Sequence, residues 1–338
     1  MINLVSDTVT KPTPAMLEAM MAAEVGDDVF RACPTTNQLE AKAAALFGKE
    51  AALYCPSGTM TNQIAINVHT ERLDEFICEA YSHVYQYETG GYASNSGVAV
   101  NLVHGQHGKM TAQQLAEAIR PAYDWLPRSR LVVLENTCNK GGGSYYTLDE
   151  INPISKLCRS NNLRLHLDGA RLFNALVETQ ESTQAYGELF DSISICLSKG
   201  LGAPVGSLLI GDEVLLKKAR RLRKVMGGGM RQAGYLAAAG IYALDHHVER
   251  LKEDNDRAKQ LGATLKEAYS FAENVRPVQS NIVIFDVKPP YTAALFLEKL
   301  EEKGILASPF GPQTVRFVTH LDVNASMIEK TIDILKSM

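Results

Sequence analysis

The sequence has few cysteines, and their arrangement suggests neither a metal site nor a disulfide framework. Six cysteines are spread over 338 residues. None forms a Cys-x-x-Cys pair, and none has a spacing to histidine that fits zinc. A chain of this length can bury a large core without disulfides. The sparse cysteines therefore indicate a reduced compartment, which predicts a cytoplasmic location, and we expect no metal site.

Long apolar stretches and a strong charge of one sign are also lacking. No run reaches the roughly 18 apolar residues of a membrane span, and residues 1–7 have neither the basic start nor the apolar core of a signal peptide. The formal net charge of −4 gives no reason to expect nucleic acid or an anionic membrane as a partner. A basic run at residues 217–224 is interpreted as a solvated helix face or an interface patch.

Short apolar runs alternate with longer helical patterns through the first 245 residues. Thr147 and Glu150 have the spacing of a capping box and predict a helix start, and Met110 and Thr111 open another helix that ends near Arg120. Several runs are apolar throughout, as expected for strands buried on both faces. This alternation predicts an α/β fold with a mostly parallel, doubly wound sheet. The predicted strands are 51–55, 76–79, 99–103, 131–135, 163–167, 192–197 and 207–210.

The pattern changes after residue 245. A long amphipathic helix is predicted from His246 to about Tyr269, followed by strands at 281–286 and 315–319 and helices at 292–303 and 325–336. Few strands separated by helices are typical of a smaller α+β unit. We therefore predict an N-terminal segment and large domain over residues 1–245 and a small C-terminal α+β domain over residues 246–338.

Asp168 and Arg171 follow a predicted strand in which leucines alternate, at residues 163–167. In open α/β sheets, ligands bind at the carboxyl edge of the strands. A carboxylate fixed there could hold a protonated ring nitrogen, because its negative charge favours the cationic form. The alternative is that Asp168 caps the next helix, and this motif taken alone favours that ordinary role.

Lys199 follows the apolar run at residues 192–197 and precedes two glycines. A lysine held at a strand end is able to form a Schiff base with an aldehyde cofactor. Most lysines are exposed, so a surface lysine at a turn is the more common explanation for this motif when it is taken alone.

Two further segments place polar side chains after a strand. Ser57, Gly58 and Thr59 precede a helical pattern whose free N–H groups could bind phosphate, although a plain helix cap explains them equally well. His83 and Tyr87 follow the strand at 76–79, where an aromatic ring could stack on a cofactor and His83 could move a proton. A phosphate cradle, a stacking residue, an aspartate and a lysine, in that order after strands, are what pyridoxal phosphate requires.

Six motifs together carry a resemblance to a known family. They are SDTVT at 6–10, SGTMTNQ at 57–63, HLDGAR at 166–171, SKGLGAPVGS at 198–207, GGGMRQAG at 227–234 and RFVTH at 316–320. With these motifs the chain closely resembles the low-specificity L-threonine aldolases, a family of fold-type-I pyridoxal-phosphate enzymes, over nearly its whole length. The resemblance implies covalently bound pyridoxal 5′-phosphate and a homotetramer, a dimer of dimers with shared active sites.

The resemblance also implies roles for individual residues. Lys199 matches the lysine that binds the cofactor, Asp168 the partner of the pyridine nitrogen, and His83 the residue stacked on the ring. Tyr87 completes the predicted catalytic set. The further predicted cofactor-binding residues are Gly58, Thr59, Arg171, Lys224 and Arg231. The substrate carboxylate is predicted to bind Ser6, Arg171 and Arg316. Tyr87, Lys224 and Arg231 match positions that line the site, and a neighbouring subunit is expected to supply some of them.

The chain departs from the family pattern on the substrate side. Cys138 stands where relatives commonly have a histidine, and Trp125 lies near the position of another histidine, one thought to meet the substrate hydroxyl. Phe30 replaces a tyrosine, and Arg31 replaces a glycine. The predicted cofactor residues are untouched, so these changes concern how the hydroxyl and the substrate side chain are handled.

The resemblance implies cleavage of L-threonine, L-allo-threonine or related β-hydroxy-α-amino acids to glycine and an aldehyde, with His83 as the candidate base. Three alternatives stay open: another pyridoxal-phosphate reaction such as β-elimination or transamination, an aldolase that prefers phenylserine, and a cofactor-binding protein without turnover. A protein that only binds the cofactor would not need residues that hold a substrate carboxylate, so the presence of Arg171 and Arg316 argues against the last alternative. A dinucleotide-binding module is weaker still, because glycines 227–229 do not fit Gly-x-Gly-x-x-Gly after a strand.

Overall fold

The computed structural model describes all 338 residues. The helices are α1 (Pro14–Met21), α2 (Pro34–Leu46), α3 (Gly58–His69), α4 (His83–Gln86), α5 (Gly91–Ser96), α6 (Ala112–Ala118), α7 (Leu148–Ser160), α8 (Leu172–Thr179), α9 (Thr183–Leu189), α10 (Glu213–Val225), α11 (Gly234–His246), α12 (Leu251–Glu267), α13 (Ala293–Glu302) and α14 (Ala325–Lys336). The strands are β1 (Ile2–Asn3), β2 (Ala51–Cys55), β3 (Asp74–Glu79), β4 (Ala99–Val103), β5 (Arg128–Glu135), β6 (Arg164–Gly169), β7 (Ser192–Cys196), β8 (Ser207–Gly211), β9 (Ala272–Glu273), β10 (Ile282–Val287), β11 (Ile305–Leu306), β12 (Ser308–Pro309) and β13 (Thr314–Val318). None of the helices combines the length and the apolar character needed to cross a bilayer.

Seven strands form the central sheet in the order β2-β8-β7-β6-β5-β3-β4. The neighbours from β7 to β4 are all parallel, whereas β8 is antiparallel to both β2 and β7. All seven strands predicted before residue 245 are present, with ends that differ by at most three residues. The predicted α/β fold with a mostly parallel central sheet is therefore confirmed.

Local sequence signals start two of the helices as predicted. The Thr147 N–H donates to Glu150 Oε2 at 2.9 Å, which closes one half of the capping box at the start of α7. Thr111 and Gln114 form the same motif at α6, with bonds of 2.9 and 3.2 Å in the two directions. Both predicted helix starts are confirmed.

The helix predicted from His246 to Tyr269 is wrong at its start. The structure ends α11 at His246 and begins α12 at Leu251. Between them the buried His247 ring lies with Nδ1 2.7 Å from the Leu201 carbonyl oxygen, a contact that ties the turn to a distant loop. The amphipathic pattern continues across this turn, so periodicity alone could not reveal the break.

A second sheet lies in the C-terminal part of the chain. It is antiparallel, with the order β12-β13-β10-β9, and a separate pair joins β1 to β11 in parallel. Buried apolar side chains around these strands form a cluster separate from the core of the central sheet. Ile2 and Leu4 belong to this second cluster, so the first residues of the chain pack with the last ones. The division into domains at residues 245 and 246 stays a prediction.

Candidate active site

The parallel strands β3, β5, β6 and β7 bring polar side chains to one edge of the central sheet. Glu135 ends β5 and is paired in register with Asp168 on β6. Lys199 follows the end of β7, and His83 begins α4 shortly after β3. Three of the predicted catalytic residues therefore belong to the carboxyl edge of neighbouring strands, where open α/β sheets bind ligands.

Asp168 is buried near the end of β6, and each of its carboxylate oxygens accepts a hydrogen bond. Asn62 Nδ2 donates to Oδ2 at 2.8 Å, and the Ala170 N–H donates to Oδ1 at 3.2 Å. The next helix begins at Leu172, and its N-cap is Arg171. The alternative of Asp168 as a helix cap is therefore wrong.

His83 is held by two glutamates. Its Nδ1 lies 2.9 Å from Glu88 Oε1, and its backbone N–H donates to Glu135 Oε2 at 2.8 Å. The Tyr87 ring lies beside the imidazole, with 5.5 Å between the ring centroids. Burial works against a charged imidazole, but the hydrogen bond to Glu88 and the charge of Asp168 outweigh it and raise the pKa of His83.

Glu88 is a buried carboxylate that the sequence analysis did not single out. Besides His83, it contacts Asn62 Nδ2 at 2.9 Å and Gln63 Nε2 at 2.6 Å, both of which donate to it. The ligand-type atoms of His83, Glu88 and Asp168 lie within 4.8 Å of one another. Hydrogen bonds through Asn62 account for this proximity, and the expectation of no metal site stays a prediction.

Glu135 is a second carboxylate that the sequence analysis passed over. Its Oε1 accepts the Asn139 N–H at 2.9 Å, and its Oε2 accepts that of His83. Burial and the neighbouring charge of Asp168 raise the pKa of Glu135. Its position at the end of an apolar strand, like that of Asp168, was the sequence signal that could have identified it as a candidate site residue.

Lys199 is half-buried and lies in the bend that follows β7, so its position taken alone still fits a surface lysine at a turn. Its carbonyl accepts a hydrogen bond from Thr10 Oγ1 at 2.9 Å, which ties this loop to the N-terminal segment. Its Nζ has no hydrogen-bond or ion-pair partner within the chain. The amine is therefore free to react with a ligand at the edge of the sheet.

Arg171 and Asp7 form a buried ion pair. Nε donates to Oδ2 and Nη2 donates to Oδ1, each at 2.7 Å. Burial opposes ionisation of Asp7, but Arg171 and, as a smaller effect, Lys199 hold its pKa down at about 2. Sequence reasoning assigned Arg171 to cofactor and substrate and missed Asp7, which occupies two of the three guanidinium nitrogens. Ser6, next to Asp7, is buried, and its hydroxyl accepts from Thr8 Oγ1 at 2.9 Å.

Arg316 has no acidic partner. From β13, its Nη1 donates to Asn139 Oδ1 at 2.9 Å and its Nη2 to the Val5 carbonyl at 3.1 Å, while its buried Nε donates to nothing. Burial and the nearby charge of Arg171 lower the pKa of Arg316 to about 10, so it is still charged at neutral pH. A half-buried cation whose buried Nε lacks a partner is suited to bind a carboxylate.

Gly58 and Thr59 are the first residues of α3, which Ser57 caps by accepting the Met60 N–H at 3.2 Å. The first N–H groups of a helix have no partner within it and attract anions. A Cβ added at Gly58 would lie 3.5 Å from the buried Ser207 Oγ, which has no hydrogen-bond partner. Ser207 therefore joins this cradle, although sequence reasoning gave it no role.

Lys224 and Arg231 are exposed, and neither forms a hydrogen bond or an ion pair with the residues at the sheet edge. Arg231 Nη1 is paired with Asp27 Oδ2 at 2.8 Å. Lys224 lies in the last turn of α10, whose basic side chains line an open groove together with Val29. The structure thus does not bring these two predicted cofactor-binding residues to the site of their own chain.

The residues that depart from the family pattern have different surroundings. Cys138 is buried, and its thiol lies 3.1 Å from the Glu135 carbonyl oxygen. Trp125 and Phe30 are each 76% exposed, and Trp125 stacks on Tyr123 with 4.8 Å between the ring centroids. Arg31 has a φ of 59°, the left-handed conformation that glycine adopts most readily.

Known proteins share this fold and sequence. The sequence pattern of the beta-eliminating lyase family matches residues 3–288. A low specificity L-threonine aldolase of Escherichia coli (strain K12) is 43% identical over 97% of this chain and 96% of its own length. A low-specificity L-threonine aldolase of Arabidopsis thaliana is 38% identical, over 98% of this chain and 94% of its own. The chain therefore belongs to the low-specificity L-threonine aldolase family.

A solved structure supports the fold independently. The threonine aldolase of Leishmania major superposes with a TM-score of 0.85 and covers 100% of this chain and 99% of its own, at 22% sequence identity. This likeness confirms the predicted fold class over the whole length of the chain.

Proposed function

We propose that this chain cleaves L-threonine, L-allo-threonine and related β-hydroxy-α-amino acids to glycine and an aldehyde, with pyridoxal 5′-phosphate as cofactor. Membership of the aldolase family supports the reaction. The observation that carries the proposal is a pair of buried polar atoms without partners, Ser207 Oγ and Arg316 Nε, in the predicted phosphate and carboxylate positions. Buried polar groups without partners are costly, which favours a ligand that satisfies both.

The residues present fit the cofactor. The Asp168 carboxylate suits a protonated ring nitrogen. The His83 ring, which lies beside the Tyr87 ring, offers a face on which an aromatic ring can stack. The unpaired amine of Lys199 suits covalent attachment to the aldehyde carbon. Free N–H groups of Gly58 and Thr59 suit the phosphate, and the unpaired Ser207 hydroxyl adds a donor beside them.

When bound, pyridoxal phosphate supplies an electron sink for the charge left on Cα as the Cα–Cβ bond breaks. The chain contributes the orientation of the substrate. Arg316 Nε and the remaining Nη1 of Arg171 would bind the carboxylate, with the Ser6 hydroxyl as a third donor. Since Asp7 already neutralises Arg171, Arg316 provides most of the net positive charge that holds the substrate.

A base must take the proton of the substrate hydroxyl, a contribution of about 10²–10⁴-fold in such reactions. His83 is our candidate, directly or through a water. Trp125 has only an N–H to donate, and burial raises the pKa of the Cys138 thiol far above its usual range, so neither can act as a base. Tyr87 would line the site beside His83.

We further propose that the chain acts in the cytoplasm as a homotetramer, a dimer of dimers in which Lys224 and Arg231 complete the cofactor site of a neighbouring subunit. Both side chains are exposed, and neither has a hydrogen-bonding partner at the sheet edge of its own chain, which supports this role. Six cysteines, all buried and unpaired, support a reducing compartment. Mixing Lys199→Ala and Arg231→Ala subunits tests the sharing of sites, because hybrids of two inactive variants should regain part of the activity.

A turnover panel tests the reaction. Purified protein is given threonine, allo-threonine or phenylserine, with and without added pyridoxal phosphate, and the products are identified. Glycine plus an aldehyde is the expected outcome. Ammonia plus a keto acid would instead indicate β-elimination, and full activity of the apoprotein, stripped of pyridoxal phosphate and given none, would overturn the proposal as a whole.

A further inference from the structure

A continuous line of buried polar side chains runs beneath the candidate site, and the reaction proposed above uses only its last member. We call its first four members the buried network: His69, Ser192, His166 and Asn62. The Ser192 Oγ lies 2.8 Å from His69 Nε2 and 2.7 Å from His166 Nδ1. His166 Nε2 lies 3.1 Å from Asn62 Oδ1, and Asn62 Nδ2 donates to Asp168 Oδ2 at 2.8 Å.

The network is formed where one helix packs on two neighbouring strands of the central sheet. Asn62 and His69 both belong to α3, and His166 and Ser192 are paired in register on the parallel strands β6 and β7 beneath it. The network therefore fills the contact between a helix and the sheet with polar groups, where apolar packing would be the ordinary choice. The hydrogen bonds between His69, Ser192, His166 and Asn62 link each member to the next, which makes the network depend on all its members.

The direction of the hydrogen bonds follows from the carboxylates at one end. Asn62 Nδ2 contacts Oε1 of Glu88 as well as Oδ2 of Asp168, so the NH₂ group must face these acceptors and Oδ1 must face His166. His166 Nε2 therefore carries a hydrogen, because the only group opposite it is an acceptor.

Burial keeps both histidines neutral. Removal from water lowers the pKa of His166 to about 4, and burial together with the neighbouring His166 lowers that of His69. A neutral His166 that carries its hydrogen on Nε2 has a bare Nδ1, which must accept the Ser192 hydroxyl hydrogen. Ser192 Oγ then accepts from His69 Nε2. Every donor in the network points towards Asp168 and Glu88.

We propose that the buried network positions Asp168 for the ring nitrogen of the cofactor by locking the orientation of the Asn62 amide. The inference rests on the proposed function, in which Asp168 holds that nitrogen. A reversed amide would put its oxygen against two carboxylates, and His166 prevents this reversal because its Nε2 offers only a hydrogen. His166 and Ser192 are thus positioning residues that act through Asn62.

Two substitutions at His166 separate its two ring nitrogens. In His166→Gln the side-chain amide reaches about as far as Nε2 and can still donate to Asn62, whereas in His166→Asn it reaches only as far as Nδ1 and the donor to Asn62 is lost. We expect His166→Asn to weaken the binding of pyridoxal phosphate at least about tenfold relative to His166→Gln, since a hydrogen bond to a charged group is at stake. Binding is measured by spectrophotometric titration of the apoprotein.

A cofactor analogue makes the test specific. Deazapyridoxal phosphate, with a C–H in place of the ring nitrogen, cannot use Asp168, so its affinity should be equal for the two variants. Ser192→Ala gives a second route, because it frees His166 to change tautomer. Its control is Ser155→Ala, which removes a buried hydroxyl bonded to the Leu189 carbonyl at 2.8 Å, outside the network. Only Ser192→Ala should weaken the binding of pyridoxal phosphate more than the binding of the analogue.

The outcomes separate this inference from the proposed function. If the native chain binds no pyridoxal phosphate, both fail together. If the native chain binds it and the two His166 variants bind it equally well, the positioning role is overturned while the proposed function stands. The same holds if the difference in affinity between the two variants is as large for the analogue as for pyridoxal phosphate.

Discussion

The two halves of the candidate site differ in how completely the chain satisfies their polar groups. Around Asp168 and His83, carboxylates, amides and imidazoles are buried and hydrogen-bonded to one another. Around Arg316 and Tyr87, a buried donor lacks a partner and aromatic side chains are exposed. The polar groups around Asp168 and His83 are thus paired within one chain, whereas the buried donor of Arg316 and the Ser207 hydroxyl of the phosphate cradle are left to be completed by a ligand.

The residues that depart from the expected family pattern fall on both sides of this difference. Phe30, Arg31 and Trp125 are exposed, whereas Cys138 is buried with its thiol 3.1 Å from the Glu135 carbonyl oxygen. A change in a satisfied buried network leaves some partner unpaired and is costly, whereas a change at an exposed position usually costs little.

Lys199→Ala should have the largest effect, because Lys199 serves both halves. We expect the absorption band of the lysine-linked cofactor to vanish and the aldolase rate to fall by several orders of magnitude. The unfolding free energy should be nearly unchanged, since Nζ has no partner in the chain. Lys266→Ala, at an exposed amine on α12, is the control. Retention of the band in Lys199→Ala would assign the covalent link to another amine.

Asp7→Ala should cause the largest loss of stability. It leaves the buried Arg171 guanidinium without its bidentate partner, and breaking such a buried pair costs about 3–5 kcal/mol. Urea unfolding of the apoprotein measures the loss. Glu71→Ala breaks the exposed pair with Arg128 and should cost at most about 1 kcal/mol. Equal costs for the two variants would contradict the contrast between buried and open regions.

Arg316→Gln should affect substrate binding more than folding. Its partners are an amide oxygen and a carbonyl, so no buried charge is left unpaired when it is replaced. Loss of a charged hydrogen bond to the substrate carboxylate, about 1.5–3 kcal/mol, corresponds to roughly a 10- to 100-fold fall in kcat/KM. Steady-state kinetics with threonine measures this fall. Arg276→Gln, which also removes a donor to a carbonyl, is the control, and an equal fall there would remove the assignment.

Most of the fold and the main site residues could be predicted from sequence because their signals are local. Apolar runs of strand length gave all seven central strands, and their polar ends indicated Asp168 and Lys199. These signals depend on period and on burial, and both are written into a few consecutive residues. Local capping pairs such as Thr147 with Glu150 were readable for the same reason.

The remainder could not be predicted because it depends on which distant polar groups pair. Asp7 binds Arg171 across 164 residues of sequence, and Asn62 binds Asp168 across 106 residues. Neither pairing leaves a periodic pattern, so Arg171 was predicted to be free for ligands. The turn at His247 was missed for the same reason, since its cause is a carbonyl in a distant loop.

Glu88→Gln sharpens the comparison through pH. A raised pKa means that His83 stays protonated to higher pH, so kcat/KM should rise with pH through a midpoint above the usual value of about 6.5. Removing the Glu88 charge destabilises the imidazolium and should move this midpoint down. The pH profile of kcat/KM measures the shift, with Glu150→Gln as a distant control. An unmoved midpoint would show that another group is the base.

Arg31→Gly should have the smallest effect, and it tests whether the backbone at this exposed position is strained. Arg31 has a φ of 59°, which costs a residue with a Cβ about 1–2 kcal/mol, while glycine loses about 0.4–1 kcal/mol through the entropy of its unfolded state. The net expectation is a gain of up to about 1 kcal/mol in unfolding free energy. Arg31→Ala, which removes the same exposed side chain but keeps the Cβ, should show no gain in urea unfolding. If both variants gained equally, the side chain and not the backbone would be the source of the strain.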